Sequence, residues 1–578
     1  MSCALRGGET SEKGVAMVEV SRRLFDAVVV GSGASGGWAC KRLTEAGLDV
    51  ALVDAGRPLS NLEFSEHKPP FELEYRNRAA EVIRRTRPIQ GLSCDEYNYK
   101  WFANDLEEPY TTAPGTSFKW IGRLRVTGGR TAVWGRQSYR FSDQDFKPAS
   151  YDGYGEDWPL GYDDLAPYYD LVEDYVGISG QAEGVYELPD SRFLPPMAMN
   201  CAEVQLRNRV KKRFGRTVTI GRAAVVTRPH NGRAACHYCG PCSRGCVTHS
   251  YFNSAFTTVA DALATGKCTH VPNAMVYKVL MDGDESRARG VLYVDRNTHE
   301  TREVRGRVVI LCAQALESVR IMLNSADRRY PNGLGNSSGV LGHYLMDHIW
   351  VAGGAAGDFP DLHGTPSMNG PNRPNGIYVI RFRNTKDGPR TKNFLRGYGF
   401  QGGSSTGFNW GALGHGEAYK QSIREPVTTL RLGGFGECLP RWESYVELDP
   451  GVADTYGIPV LRIKMSWSEN EHAMIDDMAV SAAEMLEASG ARDVEPFTLH
   501  DREPGLGIHE VGVARMGTNP RTSVLSGFQQ SHDVDNLFVM DGSGFTSSAC
   551  QNPTLTIMAL CVRSCDYVLE RMRTGDFG

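Results

Sequence analysis

The run Gly31-Ser32-Gly33-Ala34-Ser35-Gly36 directly follows the apolar stretch Asp26 to Val30 and opens a helical segment, Ala34 to Ala46. A second apolar stretch, Val50 to Val53, follows and ends on Asp54. Strand, glycine turn, helix, strand and acid in this order make a βαβ unit whose loop receives a dinucleotide pyrophosphate on the helix N-terminus. Gly31 permits the turn, Gly33 lets the backbone approach the phosphates, and Gly36 lets helix and strand pack closely, with Ser35 beside them in the loop. Asp54 is positioned to accept ribose hydroxyls. The motif alone does not separate NAD from FAD.

With 578 residues the chain is long enough for two substantial domains. A formal net charge of -5 leaves no basic field for nucleic acid, and 64 glycines favour tight turns and close backbone approach to a ligand. No apolar run reaches the roughly 18 residues of a membrane span. The N-terminal leader is polar and expected to be disordered, with no secretory signal. Ser21-Arg22-Arg23-Leu24-Phe25 resembles a twin-arginine export motif, but the apolar residues after it run straight into the glycine loop.

Beyond the βαβ unit, Gly122 to Gly135 reads as a glycine-rich loop entering a helix, and Tyr162 to Tyr175 as a helix closing at Gly177. Val271 to Met281, Ala288 to Asp295 and Arg307 to Cys312 read as strands, with a helix from Ala315 to Asn324 behind them. From about Tyr344 to Glu503 the chain turns to short strands and many Gly and Pro turns. It ends there in an amphipathic helix, Glu469 to Ser489, with Met474, Met478, Ala482 and Met485 on one face. A strand, Asn536 to Met540, and a helix, Pro553 to Arg571, close the chain. The expected fold is α/β, with two interwoven domains. Residues 22–150, 252–343 and 504–578 form a Rossmann-like nucleotide domain, and 151–251 and 344–503 a substrate domain that includes a cysteine segment at 233–251.

Five segments in order resemble the glucose–methanol–choline oxidoreductases: the loop at Gly31, RVTGGRTAVWGRQSYR from Arg125, DWPLGYDDLAPYYDLVEDYVGISG from Asp157, VVILCAQALESVRIMLNS from Val308, and the block from Gly507. The resemblance implies a bipartite FAD protein whose substrate domain is built on an antiparallel sheet. Gly128 and Gly129 match the family loop that passes close to the flavin. Some members carry a histidine there that binds flavin covalently, whereas this chain has Thr131-Ala132-Val133-Trp134, so non-covalent FAD is expected. By the same resemblance Val276 meets the adenine end through its backbone. Asp541 and Gly542 approach the pyrophosphate and ribityl chain, and Asn552, Pro553 and Thr554 complete the cofactor set.

GIHEVGVARMG, from Gly507, matches the segment whose histidine faces the flavin, which assigns the catalytic base to His509; SSACQNPTLTIMAL, from Ser547, supplies its partner, Asn552. An imidazole, with an ordinary pKa of about 6.5, suits removal of a hydroxyl proton near neutral pH. The asparagine amide orients the hydroxyl without competing for that proton. Glu510 and Gln551 flank the pair as weaker candidates for binding sugar hydroxyls, or as braces.

Cys236, Cys239, Cys242 and Cys246 lie in one tight run, C-x2-C-x2-C-x3-C, as in bacterial ferredoxins, rather than in the two separated hooks of structural zinc sites. Val247 stands where ferredoxins have proline. An iron–sulfur cluster, three-iron or four-iron, is the favoured reading, with zinc or free thiols as alternatives. His237 is read as a hydrogen-bonding or solvent-facing ring. A one-electron relay favours a dehydrogenase over an oxidase.

Together CHYCGPCSRGC, GIHEVGVARMG and SSACQNPTLTIMAL resemble the glucoside 3-dehydrogenase branch of the family. That implies oxidation of a sugar or glucoside secondary hydroxyl, C3 favoured, to a keto sugar. It also implies a small partner subunit bearing the export signal, a cytochrome or other electron acceptor, and a bacterial periplasmic location reached by co-export, with the cytoplasm as the simpler alternative. Rival readings are a pyranose 2-oxidase, a glucose or gluconate dehydrogenase, and a non-catalytic flavin- and zinc-binding protein.

Overall fold

Leu24–Val30 pairs in parallel with Val50–Val53 on one side and with Thr301–Leu311 on the other, so the glycine loop leaves the carboxyl end of a central strand. In this computed structural model, residues 23–577 are described, except 285, 364–371, 389, 392, 409–413 and 425. The polar leader and the first residues of the export-like motif, Ser21 and Arg22, lie outside the described residues. Cys268–Val271 adds a parallel strand beside Val50–Val53, and Leu537–Val539 one beside the end of Thr301–Leu311. Antiparallel Ala288–Asp295 and Ala274–Met281 complete a seven-stranded sheet. Its inner strands are apolar without alternation, as parallel strands covered on both faces are. Val28, Val29, Leu52 and Val309 are all fully buried.

Two strand readings change. The apolar run from Val271 to Met281 is two strands, because Asn273 turns with φ 56° between Cys268–Val271 and Ala274–Met281. One piece joins the parallel side of the sheet and the other the antiparallel side. Thr301–Leu311 begins earlier than the apolar pattern suggests, since Arg302, Glu303 and Arg305 occupy the half that pairs with Ala288–Asp295.

The second sheet is antiparallel and six-stranded, in the order Arg492–Thr498, Ile349–Asp358, Val427–Gly436, Tyr398–Gly407, Ile377–Val379 and Val218–Ile220. Glu469–Ala488 covers it, entered through a Ser468/Glu471 capping box, with Met474, Met478, Ala482 and Met485 all fully buried against the sheet. The glycines of these strands make room for the methionines. A Cβ on Gly434 would stand 2.3 Å from Sδ of Met478, and one on Gly436 2.6 Å from its Cε.

Segment 151–251 does not follow one sheet. Val218–Ile220 belongs to the antiparallel sheet, but Tyr162–Val176 packs on the C-terminal helix Thr554–Arg573, and its Leu165, Tyr169 and Val172 lie in the core of the parallel sheet. Cys201–Phe214 is a helix that its own charges conceal, with only Ala202, Leu206 and Val210 as buried apolar residues. Gly122 to Gly135 enters a single 3-10 turn, Gly129–Ala132, rather than a long helix. Among the described residues no helix is long and apolar enough to cross a membrane, and every described cysteine is free of disulfides.

Candidate active site

Gly31, Gly33, Ser35, Asp54, Gly129, Val276, Asp541, Gly542, Pro553 and Thr554 line a single cavity of about 210 Å³ together with His509 and Glu510. They come from both ends of the chain and from its middle, and the parallel sheet gathers them. Gly36 and Gly128 stand behind this wall. A Cβ on Gly36 would fall 1.8 Å from the Gly31 carbonyl oxygen, and one on Gly128 2.8 Å from Oδ1 of Asn253. The loop is held from within: Ser32 N–H donates to Asp54 at 2.7 Å, and Gly128 N–H donates to Ser32 Oγ at 2.8 Å.

FAD, the cofactor that the resemblance implies, fits this cradle on three counts. The helix Ala34–Glu45 starts at Gly33 with no capping side chain and no acid in its first turn, which leaves its N-terminal N–H groups and dipole for an anion. A Cβ on Gly33 would meet nothing within 4 Å, so its backbone borders open space, and one on Gly129 would meet only the Gly33 Cα, at 3.7 Å. Finally, Ser543 Oγ, next to Gly542, is buried with no hydrogen-bond partner in the protein.

The two glycines therefore respond differently to alanine. Gly36→Ala forces helix and strand apart and is expected to lower the unfolding temperature sharply. Gly33→Ala is expected to keep that temperature and lower FAD occupancy, as calorimetry beside flavin absorbance will show.

At the cavity wall Asn552 Nδ2 donates to His509 Nε2 at 3.4 Å, and Gln401 Nε2 donates to Asn552 Oδ1 at 2.7 Å. On the other side, Nδ1 of His509 meets Nδ1 of His348 at 3.2 Å, so one of these two nitrogens carries the shared proton. Burial, His348 and then Arg130 hold the His509 pKa well below its usual value, and burial takes His348 down to about 4. Both rings are neutral near pH 7. With Asn552 Nδ2 donating to it, Nε2 is the unprotonated nitrogen, so the shared proton sits on His509 Nδ1 and a substrate hydroxyl that replaces the Asn552 donor meets a base.

The backbone under His509 is anchored by Asp347, whose carboxylate accepts from the N–H groups of Gly505 at 2.9 Å, Gly507 at 3.0 Å and His509 at 3.0 Å. Those bonds sustain Ile508 at φ 58°, a costly conformation for a β-branched residue. Burial and then Glu510 raise the Asp347 pKa to about 7.

Glu510 and Gln551 have their polar atoms turned to the protein. Glu510 accepts a two-pronged bond from Arg130 at 2.6 and 3.1 Å, and a third bond from Gln314 at 3.1 Å. Gln551 donates to Asp145 at 2.9 Å and to the Glu187 carbonyl at 3.2 Å. Both thus have the hydrogen bonds of braces, the alternative that the sequence also left open. His348, Asp347, Gln401, Arg130 and Gln314 escape sequence reading, the only local signal being the polar pair Asp347-His348 inside an apolar stretch.

Cys236, Cys239, Cys242 and Cys246 line a second, small cavity with Tyr251. Tyr251 links the two sites: its hydroxyl donates to the carbonyl of Ala132, in the Gly129–Ala132 turn, at 2.5 Å. Among the described residues no three of the four cysteines have their sulfurs within 4.8 Å of one another.

Two family models, both described as GMC oxidoreductase, match residues 25–350 and 440–561. The chain is 29% identical to 2-methyl-1,2-propanediol dehydrogenase of Mycolicibacterium austroafricanum over 94% of this chain and 95% of that protein. It is 24% identical to the fructose dehydrogenase large subunit of Gluconobacter japonicus, over 95% and 98% respectively. Among solved structures, pyridoxine 4-oxidase from Mesorbium loti shares the fold, with a TM-score of 0.57 at 16% identity, over 94% of this chain and 99% of that one. The matched segments carry the glycine loop, the Gly128-Gly129 turn, His509 and Asn552, and on these grounds the chain belongs to the GMC oxidoreductase family, whose members are FAD enzymes.

Proposed function

We propose that this protein is an FAD-dependent dehydrogenase that oxidises a secondary hydroxyl of a sugar or glucoside, at C3, to the keto sugar. The observation that carries the reading is His509 on the wall of the cofactor cavity with Asn552 hydrogen-bonded to its Nε2. His509 Nε2 takes the hydroxyl proton, and Asn552, held by Gln401, orients the same oxygen. FAD, when bound, supplies the hydride acceptor. The FAD contacts are assigned to Gly31, Gly33, Ser35, Asp54, Gly129, Val276, Asp541, Gly542, Pro553 and Thr554. Gly36 and Gly128 shape the loop behind them, and Asn552 serves both cofactor and substrate.

Electrons leave through an iron–sulfur cluster on the cysteine segment. The single tight run C-x2-C-x2-C-x3-C, rather than two separated hooks, supports this reading over zinc. Tyr251, which lines the cysteine cavity and bonds to the Gly129–Ala132 turn beside the cofactor cavity, supports a path between them. Cys242→Ser is expected to leave anaerobic flavin bleaching by substrate intact and to slow cytochrome reduction about tenfold or more. Equal loss of both rates would remove the relay from the scheme.

The name of one relative, a large subunit, supports a small partner. Co-export with that partner to the periplasm and delivery of electrons to a cytochrome complete the proposal. It is tested by anaerobic mixing with a panel of sugars and glucosides, followed by NMR of the product. A ketone at C3 supports it, a ketone at C2 with rapid peroxide formation favours a pyranose 2-oxidase, and no bleaching by any sugar removes the activity.

A further inference from the structure

The four thiols of the cysteine segment are not equivalent. Cys236, Cys242 and Cys246 pack against Met197, Ile220, Ala223, Val225 and Tyr251, whereas Cys239 does not join that cluster. Its sulfur lies instead with ring nitrogens of His67 and His237, all three ligand atoms within 4.8 Å of one another. The Nε2 atoms of the two histidines face each other at 3.3 Å. The opposite nitrogen of His237, Nδ1, is 3.4 Å from the Thr248 hydroxyl, which fixes the ring with Nε2 turned towards His67.

A tetrahedral cation bound to two imidazoles at about 2.0–2.1 Å holds their nitrogens about 3.3–3.4 Å apart. Two neutral imidazoles sharing a hydrogen bond reach a similar distance, so a second observation is needed. Glu66, beside His67 and 6% exposed, provides it. One of its oxygens accepts the Val247 N–H at 2.5 Å, and the other is buried with no partner. A buried carboxylate with an open oxygen, near enough to Cys239 and Cys242 for its charge to add to burial in pushing both thiol pKa values up, is a costly anion until a cation balances it.

We propose that His67, His237 and Cys239 form a mononuclear site for a divalent cation of the zinc class, which leaves Cys239 out of the iron–sulfur cluster. That last clause rests on the iron–sulfur reading above; the site itself does not. On binding, the Cys239 thiol releases its proton to solvent and the imidazoles bind as neutral ligands, so the site tightens as pH rises. The cation ties the segment carrying Glu66 and His67 to the cysteine segment.

The test is a Co²⁺ titration of the full-length purified protein, read by the thiolate-to-cobalt charge-transfer band and its displacement by Zn²⁺, with iron measured per chain. One cobalt per chain is expected. The His67→Ala/His237→Ala double variant is expected to lose affinity by more than the 10–100-fold that outer-shell changes cost, at unchanged iron content and unfolding temperature. Cys239→Ser is expected to remove the charge-transfer band and leave iron unchanged. Cobalt binding that survives the histidine replacements, or iron lost with Cys239→Ser, overturns the proposal. A protein without iron whose cobalt site behaves as described leaves the site standing and removes the cluster.

Discussion

His509→Ala is expected to slow anaerobic flavin reduction by substrate about 10²–10⁴-fold, the range for removing a positioned general base. Bound FAD should be unchanged, since the glycine loop, residues 31–35, and the helix start that receive the phosphates do not use the His509 side chain. The same geometry sets the pH dependence. Burial, His348 and Arg130 all disfavour the imidazolium, so the ring is neutral at pH 7 and stays so well into the acid range. The wild-type rate constant for flavin reduction should therefore be flat through neutral pH and fall only as pH drops towards the lowered pKa. A limb near 6.5 that persists in Asp347→Asn, which removes the neighbouring carboxyl raised to about 7, would mean that water reaches the ring and that the buried His348–His509 pairing does not persist. Replacing Gln401 tests the other arm, because it frees Asn552 and should impair substrate orientation without altering that limb.

Glu108→Ala is expected to cost about 3–5 kcal/mol of stability, the penalty for breaking a buried charge network by removing one partner. The Glu108 carboxylate is fully buried and bonds to Arg125 at 2.7 Å and to Arg296 at 3.0 Å. Arg125 and Arg123 also reach Glu317, at 2.7 and 3.3 Å, and Glu317 in turn meets Arg320. Without Glu108 these guanidinium groups share too little negative charge in a site that water does not enter. Arg123 and Arg125 line the cofactor cavity, so weaker FAD retention should accompany the lower denaturation midpoint.

The arginines hold the Glu108 and Glu317 pKa values below the usual carboxylate range despite their burial. With the folded value depressed, this contribution is fully present above the unfolded carboxylate pKa of about 4.3 and is lost as pH falls through the folded value. Acid unfolding of the wild type should accordingly begin below about pH 4, and Glu108→Ala should flatten that acid limb.

Most of the nucleotide half was readable because its signals are local. A glycine turn between two apolar strands, an acid at the second strand's end and periodic helices lie within short windows, and the structure keeps the loop, Asp54 and the neighbouring helix in that arrangement. The readings failed where locality failed. The apolar run from Val271 to Met281 conceals a turn at Asn273, and the charges of Arg302, Glu303 and Arg305 conceal a strand. Between substrate ligand and brace the sequence could not choose for Glu510 and Gln551, because their partners Arg130 and Asp145 lie hundreds of residues away in the chain.

The sequence by itself determined the family and the βαβ loop, and it marked His509, Asn552 and the four cysteines as candidates, because fixed residue types at fixed spacings can be read along the chain. Only the tertiary structure decided their surroundings. It set His348 against His509, placed Gln401 behind Asn552, closed the arginine–glutamate network around Glu108 and brought His67 to Cys239 and His237. These contacts join residues far apart in the chain, and charge, burial and distance act between groups in space whatever their separation in sequence.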